Sequence, residues 1–310
     1  MQSKDPVAIL ISDIHLSHKK PVCYHPNLNW YELMAFYLEQ LNTAKIKFGV
    51  PLICSGDVFD KWQSIPELIN FALSKMPDML SIMGQHDMPN HNFEEREKSA
   101  FWTLVRAGKI KFLDSGAHVF PDIETNIYAY SWGAALSPFD SMPHVLKHRK
   151  EYLNLALVHK YIWNKKATSY PGASVKEKLP AYKKFLSYFD VALFGDNHKG
   201  FLSASGKCVV LNNGSMMRRK SDELDHKPCY GILYRNGDVK RVPFDVSKDR
   251  FAHNIIEAKE KEQIDISEFL EELGGLGEQD LDFDFAIKDF IKKHKLSKEC
   301  KTILLEALEQ

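Results

Sequence analysis

The sequence predicts a layered α/β sandwich with a largely parallel core. Short apolar runs typical of buried strands recur along the chain, and helix-like segments separate several of the early runs. Strand, helix and strand in succession imply right-handed crossovers between parallel strands. The later runs follow one another without long helices and include a hairpin signal, so we expect them to form a second, mixed or antiparallel sheet packed on the first.

Eight apolar runs are the predicted strands. They are VAILIS (7–12), PLICSG (51–56), MLSIMG (79–84), KIKFL (109–113), NIYAYSW (126–132), LNLALVH (153–159), DVALFG (190–195) and KCVVLNNG (207–214). The segment YGILYRNGDVKRVPF (230–244) adds two strands, because Asn236-Gly237 between two strand-like arms is a strong hairpin signal.

Three helices are predicted between the early strands. The segment 30–49 carries apolar residues at three- and four-residue spacing, which is the period of an amphipathic helix. The segment 65–76 has Pro66 near its start, and 93–108 ends in Gly108, which are favoured positions for these two residue types.

The composition changes near residue 250. Residues 257–310 contain fifteen acidic residues, eight lysines and no arginine, in two helix-like pieces joined by GGLGEQD. We therefore predict a main domain over 1–250 and a small acidic helical appendage over 251–310. The appendage either caps the main domain or binds a partner.

Composition also bounds the class of protein. The 310 residues, 44% of them hydrophobic, are enough to bury a sizeable core. Basic and acidic residues are equal in number (41 each), so the net charge is about zero and does not indicate which kind of partner the protein binds. No run approaches the roughly 18 apolar residues of a membrane span. The five cysteines are scattered without a C-x-x-C pair. We expect a cytoplasmic protein with free thiols and no membrane partner.

Ligand-type side chains follow five of the predicted strands. In chain order they are Asp13, His15, Asp57, Asp60, Gln85, His86, His159, Asp196 and His198. One such residue alone is commonly a turn, cap or core residue. Sites in open α/β sheets form at the carboxyl ends of strands, so five such strand ends together predict a metal site.

The donor types indicate which ions the site would hold. Carboxylates, imidazoles and an amide oxygen suit Mn²⁺, Mg²⁺ or Fe, with Zn²⁺ ranked behind them. One carboxylate can bridge two ions about 3.5–4 Å apart, and such a pair binds phosphate oxygens and activates a water. Phosphate-ester hydrolysis is the reaction that gains most from this arrangement.

The ordered motifs D-I-H, G-D-V-F-D, G-Q-H-D, a lone His and G-D-N-H resemble the signature of the calcineurin-like metallophosphoesterase superfamily. That signature is D-x-H, G-D-x-x-D, G-N-H-[DE], H and G-H-x-H, and the match covers residues 7–200 in order. The resemblance implies a four-layer α/β/β/α metallophosphoesterase sandwich. It also implies a role for each residue. The first ion would be held by Asp13, His15 and His198, the bridge would be Asp57, and the second ion would be held by Gln85, His159 and Asp196.

Two further residues receive roles beside the ions. His86 would stabilise the transition state and protonate the leaving group, and Asp60 would hydrogen-bond His86 and hold its orientation. The sequence departs from the signature where Gln85 replaces Asn and where Asp196 replaces His. Both replacements are at residues that the resemblance assigns to the second ion. We therefore expect an altered second site that is either weaker or more oxygen-rich, and a more oxygen-rich site would favour Mn²⁺ or Mg²⁺ over Zn²⁺. A further alternative is that Asp196 points away and fewer protein ligands hold the second ion.

A narrower resemblance concerns the substrate. GDVFD with an early DIHL, the stretch from MGQHDMPNHNF onward and NNGSMMRRKSDELDHKP are similar to SbcD-type DNA repair nucleases, most of all those of phages and prophages. The resemblance implies a Mn²⁺-dependent DNA exo- or endonuclease with an SbcC/Rad50-type ATPase partner, in the host cytoplasm if a phage encodes it. A homodimer is left open.

Local charge supports a DNA substrate independently. Residues 144–184 contain ten Lys or Arg and two Glu, interleaved with tyrosines and Trp163, and they bracket His159. Phosphate contacts and base stacking need these side-chain types. The predicted substrate-binding residues are Lys160, Arg218 and Arg219. The alternative explanation is that the lysines belong to ordinary surface loops and the aromatic residues to the core.

Two other functions stay open. The chain could be a phosphatase or a small-molecule, nucleotide-directed phosphodiesterase of the same superfamily. It could also be a scaffold with this fold that has lost its metals, although the retained Asp and His residues of the motifs argue against that.

Overall fold

The structure is a computed structural model that describes residues 5–137, 152–220 and 223–252. Within these ranges twelve strands form two six-stranded sheets. In spatial order the first sheet contains β12 (Val239–Pro243), β11 (Cys229–Tyr234), β1 (Pro6–Ile11), β2 (Leu52–Cys54), β3 (Met79–Ser81) and β4 (Ile110–Phe112). The second contains β5 (Gly116–Phe120), β6 (Thr125–Tyr130), β7 (Leu153–His159), β8 (Val191–Gly195), β10 (Cys208–Asn212) and β9 (Phe201–Ser205).

Helices cover the outer faces of both sheets. Three of them, α1 (Trp30–Phe48), α2 (Pro66–Lys75) and α3 (Ala100–Arg106), pack on the first sheet. The second sheet is covered, within the described residues, by one short helix, α4 (Lys183–Leu186), and by 3-10 turns around it. No helix in the described part of the chain combines the length and apolarity needed to cross a bilayer.

The strands alternate between two apolar layers, which makes the architecture a sandwich. In β1, Ile9 and Ile11 face the helical layer, whereas Leu10 joins the layer between the sheets. In β7, Leu155 and Leu157 face the first sheet, whereas Ala156 and Val158 face outward. Central strands buried on both faces have continuous apolar sequences, which is why they were visible in the sequence. The predicted α/β sandwich is confirmed.

The structure corrects the sequence prediction in two places, the sheet that holds the hairpin and the helix over 93–108. The predicted hairpin does not belong to the second sheet, because β11 pairs antiparallel with β1 in the first. The expectation of a mixed second sheet is confirmed, since β6, β7, β8 and β10 run in one direction and the edge strands β5 and β9 pair antiparallel with their neighbours. The predicted helix over 93–108 is split at Ser99 into a 3-10 segment (Phe93–Lys98) and α3, because the Ser99 side chain caps the new helix at Trp102 N.

Two strands were not predicted, and one predicted segment cannot be described. The edge strands β5 and β9 are partly exposed and only weakly apolar. The predicted acidic helical appendage over 251–310 lies outside the described residues, apart from its first two positions.

Candidate metal centre

Five strand ends converge at one edge of the two sheets. The turns after β1, β2 and β3 come from the first sheet, and the ends of β7 and β8 come from the second. Four of the residues there hold left-handed φ angles, namely Asp13 (50°), His15 (49°), Asp57 (53°) and Asp196 (76°). Such angles are uncommon outside glycine and concentrate at functional sites. They turn each side chain away from the strand path toward the common edge.

The first group of candidate ligands contains Asp13, His15 and His198, whose ligand atoms lie within 4.8 Å of one another. The Nε2 atoms of His15 and His198 are 3.1 Å apart. His198 places its Nδ1 2.8 Å from Oε1 of Glu223. Since an ionised carboxylate only accepts hydrogen bonds, this contact leaves the Nε2 lone pair free for a ligand role. Two nitrogens that bind one ion at about 2.1 Å would lie roughly 3.0–3.4 Å apart, so the separation fits a shared ion.

The second group contains Asp13, Asp57 and His159. His159 donates from Nδ1 to the Ser55 carbonyl at 2.6 Å, and its Nε2 lies 3.4 Å from Oδ2 of Asp57. Burial lowers the pKa of His159, but the charge and hydrogen bond of Asp57, together with the charges of Asp13 and Asp196, outweigh burial and raise that pKa to about 10. An imidazole lone pair facing a carboxylate needs a cation between them, which is either a proton or a metal ion.

Several polar atoms of the site are buried without a hydrogen-bond partner. They are Asp13 Oδ2, His15 Nδ1, Asp57 Oδ2, Gln85 Oε1 and His159 Nε2. Burial of this kind is costly, and it raises the pKa of Asp13 to about 6. Nearly all are acceptor atoms of the types that bind divalent cations. The donor set therefore fits divalent metal ions.

Gln85 and Asp196, the two departures from the signature, contact each other. Gln85 donates from Nε2 to Oδ1 of Asp196 at 2.7 Å. Because the carboxylate can only accept, this bond fixes which end of the Gln85 amide is the oxygen, and that oxygen is the buried, unpartnered Oε1. Asp196 N donates to Oδ1 of Asp13 at 2.9 Å. Asp196 thus lies beside the ligand groups, with one of its own oxygens already bonded.

His86 and Asp60 lie next to His15, and the three form a third group of possible ligands. His86 donates from Nδ1 to the main-chain carbonyl of Asp60 at 2.7 Å. The expected bond to the Asp60 carboxylate is therefore replaced by a main-chain bond. The carboxylate instead accepts from Nη1 of Arg219 at 2.7 Å, and although burial opposes ionisation, Arg219 holds the pKa of Asp60 below its usual range.

The predicted substrate-binding residues lie in different surroundings. Arg219 reaches the site through Asp60, whereas Arg218 forms an ion pair with the buried Asp249 at 2.5 Å and packs over the Phe251 ring. The structure thus places Arg218 outside the site, in an internal ion pair. Lys160 is exposed directly after β7.

Sequence reasoning assigned no role to Asp87 or Glu223. Asp87 is fully buried, and its two oxygens accept from the main-chain N–H groups of Val58, Phe59 and Gly84, so it joins two of the metal motifs. The sequence signal that could have identified Asp87 is its place as the last residue of the G-Q-H-D motif. Glu223 is 3% exposed and contacts His198. It stands 25 residues after His198, within the quoted stretch NNGSMMRRKSDELDHKP, where no role was predicted for it.

Glycine is required where the motifs approach most closely. A Cβ at Gly84 would lie 2.6 Å from Cγ of Asp57, and a Cβ at Gly195 would lie 2.7 Å from Nδ1 of His159. Both distances are shorter than real Cβ contacts. The glycines that precede the ligand residues therefore give the carboxylate and the imidazole room to converge.

Comparison with known proteins gives only distant similarity. No family model and no curated protein matches the sequence. Solved structures similar to this chain include a candidate 5′-nucleotidase of Staphylococcus aureus in complex with alpha-ketoglutarate (12% identity, TM-score 0.49, 82% of this chain and 57% of that one). They also include the sulfate thiohydrolase SoxB of Thermus thermophilus (11%, 0.47, 84% and 60%) and a 5′-nucleotidase precursor of the same organism (11%, 0.44, 82% and 57%).

The chain spans less than two thirds of the length of each of these three structures. At these identities and TM-scores the comparisons carry no argument about activity.

Proposed function

We propose that this protein is a metal-dependent phosphoester hydrolase, and more narrowly a Mn²⁺-dependent DNA nuclease of the SbcD type. The observation that carries the proposal is the cluster of buried carboxylate, imidazole and amide atoms without hydrogen-bond partners at the convergence of five strand ends. Two divalent ions held there would polarise a phosphate ester and lower the pKa of a bound water.

The residues divide into two ligand groups that share Asp13. Asp13, His15 and His198 would hold one ion, and Asp57 with His159 would contribute to the other. The buried Oε1 of Gln85 is a further candidate donor for the second ion, and Asp196 orients it. Asp57 lies between the groups, since its Oδ2 is 3.7 Å from Nε2 of His15 and 3.4 Å from Nε2 of His159.

His86 is the residue available for proton transfer and charge stabilisation. Its Nδ1 is occupied by the Asp60 carbonyl, so Nε2 is the atom that can donate to a phosphate or leaving-group oxygen. Its ring lies edge-on to His15, with 4.9 Å between ring centroids, which keeps it beside the ligand groups. Asp57 accepts from the main-chain N of His86 at 3.0 Å and fixes the position of the backbone there.

A DNA substrate is favoured by the loop that follows β7. Asn197, in the middle of the D-N-H motif, donates to the carbonyls of Ile162 and Thr168, so the metal motif and this lysine-rich loop are tied together. Tyr170 is 47% exposed and packs edge-on against Tyr161. Exposed aromatic rings beside lysines suit stacked bases and phosphates.

The test compares substrates under one condition. The protein with Mn²⁺ is incubated with labelled single- and double-stranded DNA, and in parallel with phosphomonoesters and small phosphodiesters. We expect DNA to be degraded, and His86→Ala to reduce turnover by about 10²–10⁴-fold. The control is His118→Ala, a histidine on the edge strand β5. Robust phosphomonoester turnover with intact DNA would favour the phosphatase or nucleotide phosphodiesterase. Absence of Mn²⁺ binding would favour a scaffold without metals.

The partner is proposed separately. We propose that the acidic segment 251–310, nearly all of which lies outside the described residues, binds an SbcC/Rad50-type ATPase. Its excess of carboxylates suits a basic surface. We expect the full chain to co-elute with such an ATPase from the same genome. Changing four of the carboxylates of this segment to lysine should abolish the co-elution. Unchanged co-elution would place the contact elsewhere.

A further inference from the structure

We propose that Glu223 and Arg219 are positioning residues for two histidines that follow strands of different sheets. Glu223 orients His198 for metal binding. Arg219 orients Asp60, whose main-chain carbonyl holds His86. We call this pair the Glu223–Arg219 clasp. The proposal rests on the proposed function only in taking His198 as a metal ligand and His86 as a catalytic residue.

The first half of the clasp acts on the His198 ring. Glu223 is 3% exposed, and both of its oxygens are bonded: Oε1 to Nδ1 of His198 at 2.8 Å, and Oε2 to the main-chain N of Arg219 at 2.7 Å. The carboxylate is therefore held from both sides and fixes the rotation of the imidazole. It selects the tautomer with hydrogen on Nδ1, so that Nε2 points to Nε2 of His15, 3.1 Å away. Carboxylates in this position typically change metal affinity 10–100-fold.

The second half acts on the segment that carries His86. The guanidinium of Arg219 is 15% exposed and donates from Nη1 to Oδ1 of Asp60 at 2.7 Å. The carbonyl of Asp60 accepts from Nδ1 of His86 at 2.7 Å. Removing the guanidinium would release the Asp60 side chain, and with it the carbonyl that sets the direction of the His86 ring.

The two halves use different parts of Arg219, which makes them separable. The main-chain N–H of Arg219 bonds Glu223, whereas only its side chain bonds Asp60. Arg219→Ala keeps the first contact and deletes the second. Glu223→Ala deletes the contact to His198 and leaves the guanidinium in place.

The first experiment measures the tautomer of His198 in the metal-free full-length protein by ¹⁵N NMR of the imidazole. We expect the Nδ1–H form to dominate in the wild type, and a mixture of tautomers in Glu223→Ala. Glu223→Gln should keep more of the Nδ1–H form than alanine, because its amide oxygen can still accept. Asp225→Asn, an exposed carboxylate of the same segment, is the matched control and should keep the wild-type tautomer. A wild-type tautomer in Glu223→Ala would overturn this half of the proposal.

The second experiment measures Mn²⁺ binding by titration calorimetry, and kcat and KM on a small phosphodiester. Glu223→Ala should weaken Mn²⁺ binding roughly 10–100-fold. Arg219→Ala should bind Mn²⁺ within about twofold of the wild type but lose roughly tenfold or more in kcat, because a displaced catalytic group lowers turnover steeply. Arg219→Lys should recover part of that loss, since an ammonium can still reach Asp60. Circular dichroism melting of each variant reports folding.

Three results would overturn the proposal: unchanged Mn²⁺ affinity in Glu223→Ala, unchanged kcat in Arg219→Ala, or equal losses of affinity and kcat in both variants. If the wild-type protein binds no Mn²⁺, the proposed function fails instead, and the tautomer measurement still decides whether Glu223 orients His198.

Discussion

Replacing Gly84 with alanine should disable the candidate metal centre, although alanine accepts the φ and ψ angles of this position. Gly84 has φ −92° and ψ 179°, which alanine adopts readily. An added Cβ would lie 2.6 Å from Cγ of Asp57 and 2.7 Å from its main-chain N. Carbon atoms in contact normally stay about 3.5–4.0 Å apart. The Asp57 carboxylate would therefore have to retreat by about 1 Å.

The size of the effect follows from that displacement. A shift of about 1 Å in a positioned group lowers turnover on the order of 100-fold, which equals about 2.7 kcal/mol of transition-state stabilisation. We expect kcat/KM on a small phosphodiester with Mn²⁺ to fall by about that factor in Gly84→Ala, with weaker Mn²⁺ binding by calorimetry. Asp57 is placed between the two ligand groups, so both quantities depend on its position.

Gly108→Ala is the control for general loss of stability. Gly108 has φ 75° and no neighbouring atom within 4 Å of an added Cβ, so alanine there brings backbone strain without a clash. It should lower the free energy of unfolding by about 1–2 kcal/mol and leave turnover of the folded protein intact. Turnover of Gly84→Ala within about threefold of the wild type would refute the close approach of Asp57 to Gly84.

Three further substitutions test other parts of the structure. Arg218→Ala should lower the free energy of unfolding, measured in urea, by about 3–5 kcal/mol, because it leaves the Asp249 carboxylate buried without its guanidinium partner. If the variant instead lost DNA turnover without loss of stability, Arg218 would be a substrate-binding residue as first predicted. Burial lowers the pKa of His226 below its ordinary value of 6.5, so the unfolded chain takes up a proton first as the pH falls. The free energy of unfolding should therefore decrease below about pH 6.5, by at most about 1.4 kcal/mol per pH unit, and the decrease should be smaller in His226→Gln; equal slopes would contradict this. Asn197→Ala should weaken DNA binding, measured by fluorescence anisotropy, more than small-phosphodiester turnover, because it frees the loop tied to the metal motif; an equal effect on both would show that the loop does not contact DNA.

The candidate ligand residues could be predicted from the sequence because both of their signals are local. An apolar run marks a strand buried on both faces, and a carboxylate or imidazole at its end breaks that run abruptly. The parallel arrangement then brings the ends to one edge, as with Asp13, Asp57 and His159. Such a pattern needs no knowledge of which strand pairs with which.

The errors concern partners that only the folded chain brings together. The hairpin signal at Asn236-Gly237 gives the turn but not the neighbouring strand, and β11 lies beside β1 because of packing between distant segments. Asp60 was expected to hold His86 through its carboxylate, whereas the main-chain carbonyl does so and the side chain pairs with Arg219. Whether a residue forms a hydrogen bond through its side chain or its main chain depends on distances in the folded protein, and the spacing of residues along the sequence does not give those distances.

The two ligand groups draw on both sheets. Asp13 and Asp57 follow strands of the first sheet, whereas His159 ends a strand of the second sheet and His198 follows another. A hydrogen bond from His159 Nδ1 to the Ser55 carbonyl already joins the two sides there. An ion bound by both would act as a cross-link at this edge, so the free energy of unfolding should rise with the concentration of the metal. The apolar layer between the sheets sets their spacing, and a shortened side chain in it, such as Leu157→Ala, would change metal affinity without touching a polar atom.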